Sequence, residues 1–127
     1  MTQEKEQLLL KDISARFQYR VYIRKKVCHK FVTEELQSIN RGQIDDEVYI
    51  NGYKIAKSRP YLRPLSSITN EEFVEYHDML VSISKTGLMQ QNLITKVIDW
   101  LDKKMFDHRN LIEKGLALEA PEDMYKF

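Results

Sequence analysis

The dipeptide Asn51–Gly52 lies between two short runs of β-prone residues and constrains the fold more than any other feature of the chain. Asn and Gly both accept the positive φ angles of a type I′ turn, so the pattern predicts a hairpin between Val48–Ile50 and residues 53–56. A two-residue turn joins antiparallel strands only. The chain is therefore neither all-helical nor built on a purely parallel sheet.

The spacing of apolar residues changes from helical to β-type at Phe17. Residues 4–15 carry Leu9 and Ile13 four positions apart, and Thr2 is a suitable N-cap, so a first helix is predicted there. From Phe17 onward apolar and polar residues alternate, which predicts a half-buried strand. The side chains predicted to face the core from that strand are Phe17, Tyr19, Val21 and Ile23.

The second half of the chain carries helical signals. Thr69 and Glu72 have the spacing of a capping box, which predicts the start of a helix that ends near Gly87. A further helix is predicted over residues 90–104 and a short one over residues 107–115. The predicted buried faces are Phe73, Tyr76, Leu80 and Ile83 on the first helix, and Leu93, Ile94, Val97, Ile98, Leu101 and Met105 on the second.

The order of these elements predicts a single α+β domain over residues 1–127. It has an N-terminal helix, a small antiparallel β-meander of three or four strands, and two or three C-terminal helices. The β-rich half covers about residues 17–57 and the helical half about residues 68–115. Residues 58–67 contain two prolines and are predicted as an extended connector. Residues 31–39 fit either a strand or a helix, and both alternatives remain open.

Basic residues are concentrated in the first half of the chain. Residues 1–64 hold 13 Lys and Arg against 8 Asp and Glu, whereas residues 65–127 hold 7 against 11, although the net charge is only +1. No acid occurs between residues 13 and 33. A row of cations with a ring among them on a strand face is typical of nucleic-acid binding. The candidate nucleic-acid-binding residues are Arg20, Tyr22, Arg24 and Lys26; the alternative is a solvated strand face that acids of neighbouring strands neutralise.

A protein-interaction surface is the main hypothesis, because a net charge near zero is atypical of a dedicated nucleic-acid binder. Tyr61 and Leu62 lie in a stiff, basic, proline-containing segment and are candidate contacts; alternatively they pack between the two halves. Trp100 lies off the centre of its predicted helical face, so it either closes the edge of the core or marks a contact. The predicted partner is an unidentified protein or a second copy of the chain.

Catalytic and metal-binding motifs do not stand out in the sequence. The glycines are too dispersed for a phosphate loop, and His29, His77 and His108 are isolated from one another. A third hypothesis is an enzyme with a cleft at the junction between the two halves, which the convergence of His77, His108 and an acid in one pocket would support. Cys28 is the single cysteine, which excludes an intrachain disulfide. We therefore predict a non-enzymatic chain without metal or cofactor.

No apolar run is long enough to span a membrane, so a cytoplasmic location is expected.

Three stretches carry a resemblance: LLLKDISARFQYRV near the start, SRPYLRPLSSITNEE in the middle and DWLDKKMFDHRNLIEKGLALEAPEDMYKF at the end. Together they resemble a group of short proteins of gut anaerobic bacteria and of their phages and mobile elements. Arg59 stands where that group usually has Lys, and residues 108–110 replace its Tyr-Arg-Gly. The resemblance implies a cytoplasmic accessory protein of bacterial or phage origin, and it names no catalytic residue.

Overall fold

A computed structural model describes residues 1–86 and 90–127, with side chains for residues 1–82 and 94–127. It confirms the α+β class. The helices in these ranges are α1 (Gln3–Ala15), α2 (Asn70–Thr86) and α3 (Gln90–Lys103). The strands are β1 (Tyr22–Val27), β2 (Lys30–Glu35), β3 (Ile39–Arg41), β4 (Val48–Ile50), β5 (Tyr53–Lys54), β6 (Ser58–Leu62) and β7 (Leu118–Glu119). None of the described helices is both long and apolar enough to cross a membrane.

The strands form two sheets rather than one meander. The larger sheet has the strand order β2-β1-β6-β7, in which β1 runs antiparallel to both neighbours and β7 runs parallel to β6. The smaller sheet is the antiparallel meander β3-β4-β5. The core lies between α1, the larger sheet and the segment after α3. Its buried members include Leu9, Ile13, Val21, Ile23, Leu62, Met105 and Leu111.

The predicted connector contributes an interior strand. β6 occupies the first part of residues 58–67 and is paired on both sides, with Pro60 opposite Ile23 of β1. Its residues alternate between buried and half-buried, with Ser58 and Leu62 fully buried. Proline favours the extended backbone that both a connector and a strand require, so the sequence alone did not distinguish the two.

β1 begins at Tyr22 rather than at Phe17. Residues 16–20 form turns after α1, and Phe17 is 47% exposed instead of facing the core. Val21 and Ile23 are buried as predicted. The alternation therefore predicted the inward-facing residues of β1 correctly, but it placed the start of the strand too far towards the N-terminus.

Residues 31–39 fitted either a strand or a helix, and in the structure their first part forms a strand. β2 pairs with β1 across a two-residue turn, in which Cys28 adopts a φ of 58° and Val27 lies opposite Lys30. The Asn51–Gly52 hairpin is also confirmed: the two residues have φ angles of 49° and 83°, and Ile50 lies opposite Tyr53. Both turns join strands that are adjacent in sequence.

The predicted helix caps are present. The Thr2 hydroxyl accepts a hydrogen bond from the Lys5 amide at 3.2 Å. At α2, the Thr69 amide donates to the Glu72 carboxylate at 3.1 Å, and the Glu72 amide donates to the Thr69 hydroxyl at 3.2 Å, which completes a capping box. The predicted short helix over residues 107–115 is instead a series of turns.

The predicted apolar faces of α2 and α3 are only partly buried, because α2 packs chiefly against α3. Val97 and Trp100 are buried on α3, and Trp100 packs with its ring 5.8 Å from both Tyr76 and Phe106. The predicted face members that are exposed instead are Phe73, Leu80, Ile94 and Ile98. Gly87 and the side chains of Ile83 and Leu93 lie outside the described residues.

Candidate functional site

One face of the larger sheet points away from the core and carries cations and aromatic rings. On β1, Ile23 and Lys25 are buried, so the alternate residues project from the opposite face. The strand registers place residues of β2 and β6 beside them. This surface, called the outer face below, consists of Phe31, Thr33 and Glu35 on β2, Tyr22, Arg24 and Lys26 on β1, and Arg59 and Tyr61 on β6.

Arg24 and Arg59 lie directly opposite each other on neighbouring strands of the outer face. Arg59 is held in place by main-chain carbonyls, with distances of 3.1 Å to Gly115, 3.0 Å to Ala56 and 2.8 Å to Ser58. Burial and the nearby charge of Arg24 lower the pKa of Arg59. Within the described part of the chain, no carboxylate forms an ion pair with either guanidinium. Two opposed like charges without a counter-ion are suited to receive an anion.

Aromatic rings flank the guanidinium groups. Arg24 lies 4.0 Å from the centre of the Phe31 ring, and Phe31 is 59% exposed. Lys26 is the cross-strand neighbour of Phe31. On the other side of β1, the Tyr61 hydroxyl reaches over to the Thr33 hydroxyl at 3.1 Å. The outer face therefore presents both ring surfaces and positive charge within three adjacent strands.

The C-terminal segment locks one end of this face. The Tyr125 hydroxyl accepts a hydrogen bond from the Tyr22 amide at 2.9 Å and donates one to the Tyr61 carbonyl at 2.7 Å, which joins β1 to β6. The Tyr125 ring also lies 5.6 Å from the Tyr22 ring. Burial raises the pKa of the Tyr125 hydroxyl, so it stays protonated and able to donate well above neutral pH.

The acids that were expected to neutralise the basic row lie mostly elsewhere. Glu34 is on the core side of β2 and pairs with Lys25 at 2.7 Å, which lowers the pKa of Glu34. Asp46 and Glu47 bind Arg41 and Lys54 around the smaller sheet. The positive charge of the outer face is thus largely left uncompensated.

The structure brings together three of the four predicted nucleic-acid-binding residues. Tyr22, Arg24 and Lys26 share the outer face. Arg20 instead precedes the strand, has a largely exposed side chain and lies 4.0 Å from Glu35, the acid of that face. Phe31 and Arg59 complete the site and were not singled out from the sequence. Their contribution depends on the pairing of β1 with β2 and β6, which local spacing does not reveal.

The predicted protein-contact residues are distributed differently. Tyr61 is half-buried on the outer face, but Leu62 is fully buried and Trp100 is 7% exposed. Leu62 and Trp100 are therefore core residues and offer no surface to a partner. The exposed apolar side chains of the helices are instead Phe73, Val74 and Leu80 on α2 and Ile94 and Ile98 on α3.

The histidines do not converge. His77 stacks on Phe73 at the surface, with 6.4 Å between ring centres, whereas the His108 Nε2 atom lies 2.7 Å from the Asp102 carboxylate. Among the described residues, no group of three or more His, Cys, Asp or Glu side chains has the arrangement needed for a metal ion. His77 and His108 therefore have different neighbours and do not meet at one acid.

Asp102 belongs to a buried ion cluster that fastens α1 to α3. The Arg16 guanidinium binds Asp12 at 3.0 Å, and Arg109 bridges the carboxylates of Asp12 and Asp102 at 2.7 and 2.9 Å. Burial opposes the charge of Asp102, but hydrogen bonds from His108 and Arg109 and the charge of Arg16 outweigh it and lower the pKa. With every charge paired, the cluster is structural.

Comparison of the chain with protein families, with curated proteins and with solved structures found no match.

Proposed function

We propose that the protein binds single-stranded nucleic acid on the outer face and acts as an accessory protein, with a bacterial or phage origin as the resemblance implies. The observation that carries this proposal is the opposed pair Arg24 and Arg59, which lacks a carboxylate partner in the described structure and has Phe31 at its side. A phosphate between the two guanidinium groups relieves their repulsion. This arrangement favours an anionic ligand.

The rings favour a single strand over a duplex. Phe31, Tyr22 and Tyr61 can stack only on bases that are not enclosed in a double helix. Stacking is available to every base, so little sequence preference is expected. The cations supply affinity through the release of counter-ions from the phosphate backbone. Binding should consequently weaken as salt increases.

The test is fluorescence anisotropy of labelled oligonucleotides, single-stranded and duplex, at about 50 and about 200 mM salt. If Arg24, Lys26 and Arg59 each contact one phosphate, single-strand affinity should fall about 20-fold across this range. The variant Arg24→Gln/Lys26→Gln should bind more weakly and with a shallower salt dependence. Lys5→Gln/Lys11→Gln on the exposed side of α1 removes the same charge and is the matched control.

A third variant separates stacking from charge. Phe31→Leu keeps an apolar side chain but removes the ring, and it should weaken single-strand binding about fivefold or more. The salt dependence should stay unchanged because no cation is lost. The proposal fails if the wild-type protein does not bind at low salt, or if the control pair on α1 weakens binding as much as the outer-face pair does.

A protein-interaction module is the second candidate, and the exposed apolar residues of α2 and α3 favour it. Phe73→Ser/Ile98→Ser reduces this apolar surface and leaves the outer face intact. Self-association of the purified chain that persists at high salt and disappears in this variant would support the module. Association that the variant does not alter, or a chain that stays monomeric, would argue against these helices as the contact.

A further inference from the structure

β2 forms one edge of the larger sheet. Phe31 on one face of this strand is 59% exposed, and Val32 on the other is 39% exposed. Natural sheets usually protect such an edge with a short strand, a proline, a bulge or charged side chains. β2 spans six residues, is fully in register with β1 and contains no proline, and its charged residues lie at its two ends, which leaves residues 31–33 uncharged. It therefore has the properties of a strand that accepts another strand.

The hydrogen-bond pattern shows which groups are free at this edge. The Leu36 amide donates to the Val21 carbonyl at 2.9 Å, so this pair is of the hydrogen-bonded type. Such pairs alternate along an antiparallel ladder. Val32 and Glu34 therefore direct their amides and carbonyls towards β1, whereas Phe31 and Thr33 direct theirs away from it. In the described structure, the outward groups of these two residues have no internal partner.

We propose that two copies of the chain pair antiparallel through β2, with Val32 of one copy opposite Val32 of the other. In this register the amides and carbonyls of Phe31 and Thr33 bond to those of Thr33 and Phe31 in the second copy. Lys30 of one copy then lies opposite Glu34 of the other, whose carboxylate pairs with Lys25 of its own chain but is partly exposed, so charge complementarity favours a second copy as the occupant.

The adjacent register centred on Thr33 is less favourable. A shift that sets Thr33 opposite itself places Phe31 against Glu35 and Val32 against Glu34, which sets apolar side chains against acids. It also requires the Glu35 carbonyl, which already accepts a hydrogen bond from the Asn51 amide group at 2.9 Å. The register centred on Val32 does not depend on that carbonyl.

Pairing in this manner joins two sheets into one. A two-fold axis perpendicular to the sheet relates antiparallel edge strands, so the outer faces of both copies lie on the same side. Arg24 of each copy then contributes to one continuous surface. The association itself is measured without nucleic acid, so its outcome is independent of the function proposed above.

The decisive variant is Thr33→Pro, because the Thr33 amide points away from β1 and proline is tolerated at such edge positions. Thr33→Val is the matched control: it retains the amide and loses only the hydroxyl that contacts Tyr61. Sedimentation equilibrium over a concentration series should give twice the mass of one chain for the wild type and for Thr33→Val. Thr33→Pro should remain monomeric.

Cross-linking tests the register and does not depend on the proline variant being folded. In a Cys28→Ser background, Val32→Cys should form a disulfide-linked dimer under mild oxidation, because the two residues are directly opposed. Thr33→Cys in the same background should cross-link at least several-fold less. A monomeric wild-type chain would refute the pairing, and so would a dimer that Thr33→Pro leaves intact. If the dimer survives in Thr33→Pro but is lost in Phe73→Ser/Ile98→Ser, the two copies associate through the helices.

Discussion

Arg63, which directly follows β6, forms a two-pronged ion pair with Glu72 in the first turn of α2, with nitrogen–oxygen distances of 2.8 and 2.7 Å. The same carboxylate accepts the Thr69 amide of the capping box. The Arg63 guanidinium also lies 4.3 Å from the centre of the Phe106 ring. One side chain, Glu72, therefore caps the helix and attaches it to the sheet.

Replacing Glu72 should make stability depend less on pH. The hydrogen bonds and charge of Arg63 hold the pKa of Glu72 at about 2, against 4.5 for the free group. Because the pKa is lower in the folded state, the stabilisation is complete above about pH 4.5 and disappears as the pH falls towards about 2. Glu72→Gln should lower the free energy of unfolding by about 2 kcal/mol at neutral pH.

Urea unfolding at about pH 7 and about pH 3 measures this effect. The difference between wild type and Glu72→Gln should shrink at the lower pH. Glu71→Gln is the control, because Glu71 is an exposed neighbour in the same helical turn. A difference of equal size at both pH values would show that the charge of Glu72 is not its source.

Asn51 forms the turn between β4 and β5, and its side chain attaches that turn to the segment between β2 and β3. Its oxygen accepts hydrogen bonds from the amides of Gln37 and Ser38 at 2.7 and 3.0 Å. Asn51→Gly preserves the positive φ but removes these bonds, so it should cost about 2 kcal/mol of unfolding free energy. Gly52→Ala meets open space and should cost about 1 kcal/mol through backbone strain alone. Thermal denaturation of both variants would separate the two contributions; equal stability of Asn51→Gly and wild type would contradict the first.

Asp102→Asn should be strongly destabilising. The substitution leaves the buried Arg16 and the largely buried Arg109 with less opposing charge, and loss of one partner from a buried ion pair costs about 3 kcal/mol or more. Asp99→Asn on the same helix is the comparison, because Asp99 is exposed and, among the described residues, its side chain bonds only the Tyr19 hydroxyl. Chemical denaturation should show an effect under about 1 kcal/mol for Asp99→Asn. Similar losses in the two variants would show that the buried cluster is not specially stabilising.

Tyr125→Phe should loosen the end of β1. The variant leaves the Tyr22 amide and the Tyr61 carbonyl without their shared hydroxyl, at a cost of about 1–3 kcal/mol. Hydrogen exchange at the Tyr22 amide should become faster, while the amide of Ile50 in the smaller sheet should be protected as before. Lys126→Ala removes an exposed side chain next to Tyr125 and should leave both rates unchanged.

Part of the candidate site followed from the sequence, because alternation along a strand determines which residues share a face. That reasoning placed Tyr22, Arg24 and Lys26 together. It erred at Phe17, where apolar spacing continued past the end of α1 although the chain turns there. The buried guanidinium of Arg16, bonded to the carbonyls of Asp102 and Phe106, fixes that turn, and these partners are distant in sequence.

The sequence by itself determined the features that depend on neighbouring residues: the Asn51–Gly52 turn, the Thr69–Glu72 capping box and the cap at Thr2. A few backbone angles and hydrogen bonds suffice for these, so short patterns specify them. Only the tertiary structure decided that Arg59 lies opposite Arg24. That juxtaposition requires residues 58–62 to enter the sheet, which depends on burying Ser58 and Leu62 against the whole core. The charge that defines the outer face is therefore a consequence of packing across the entire chain.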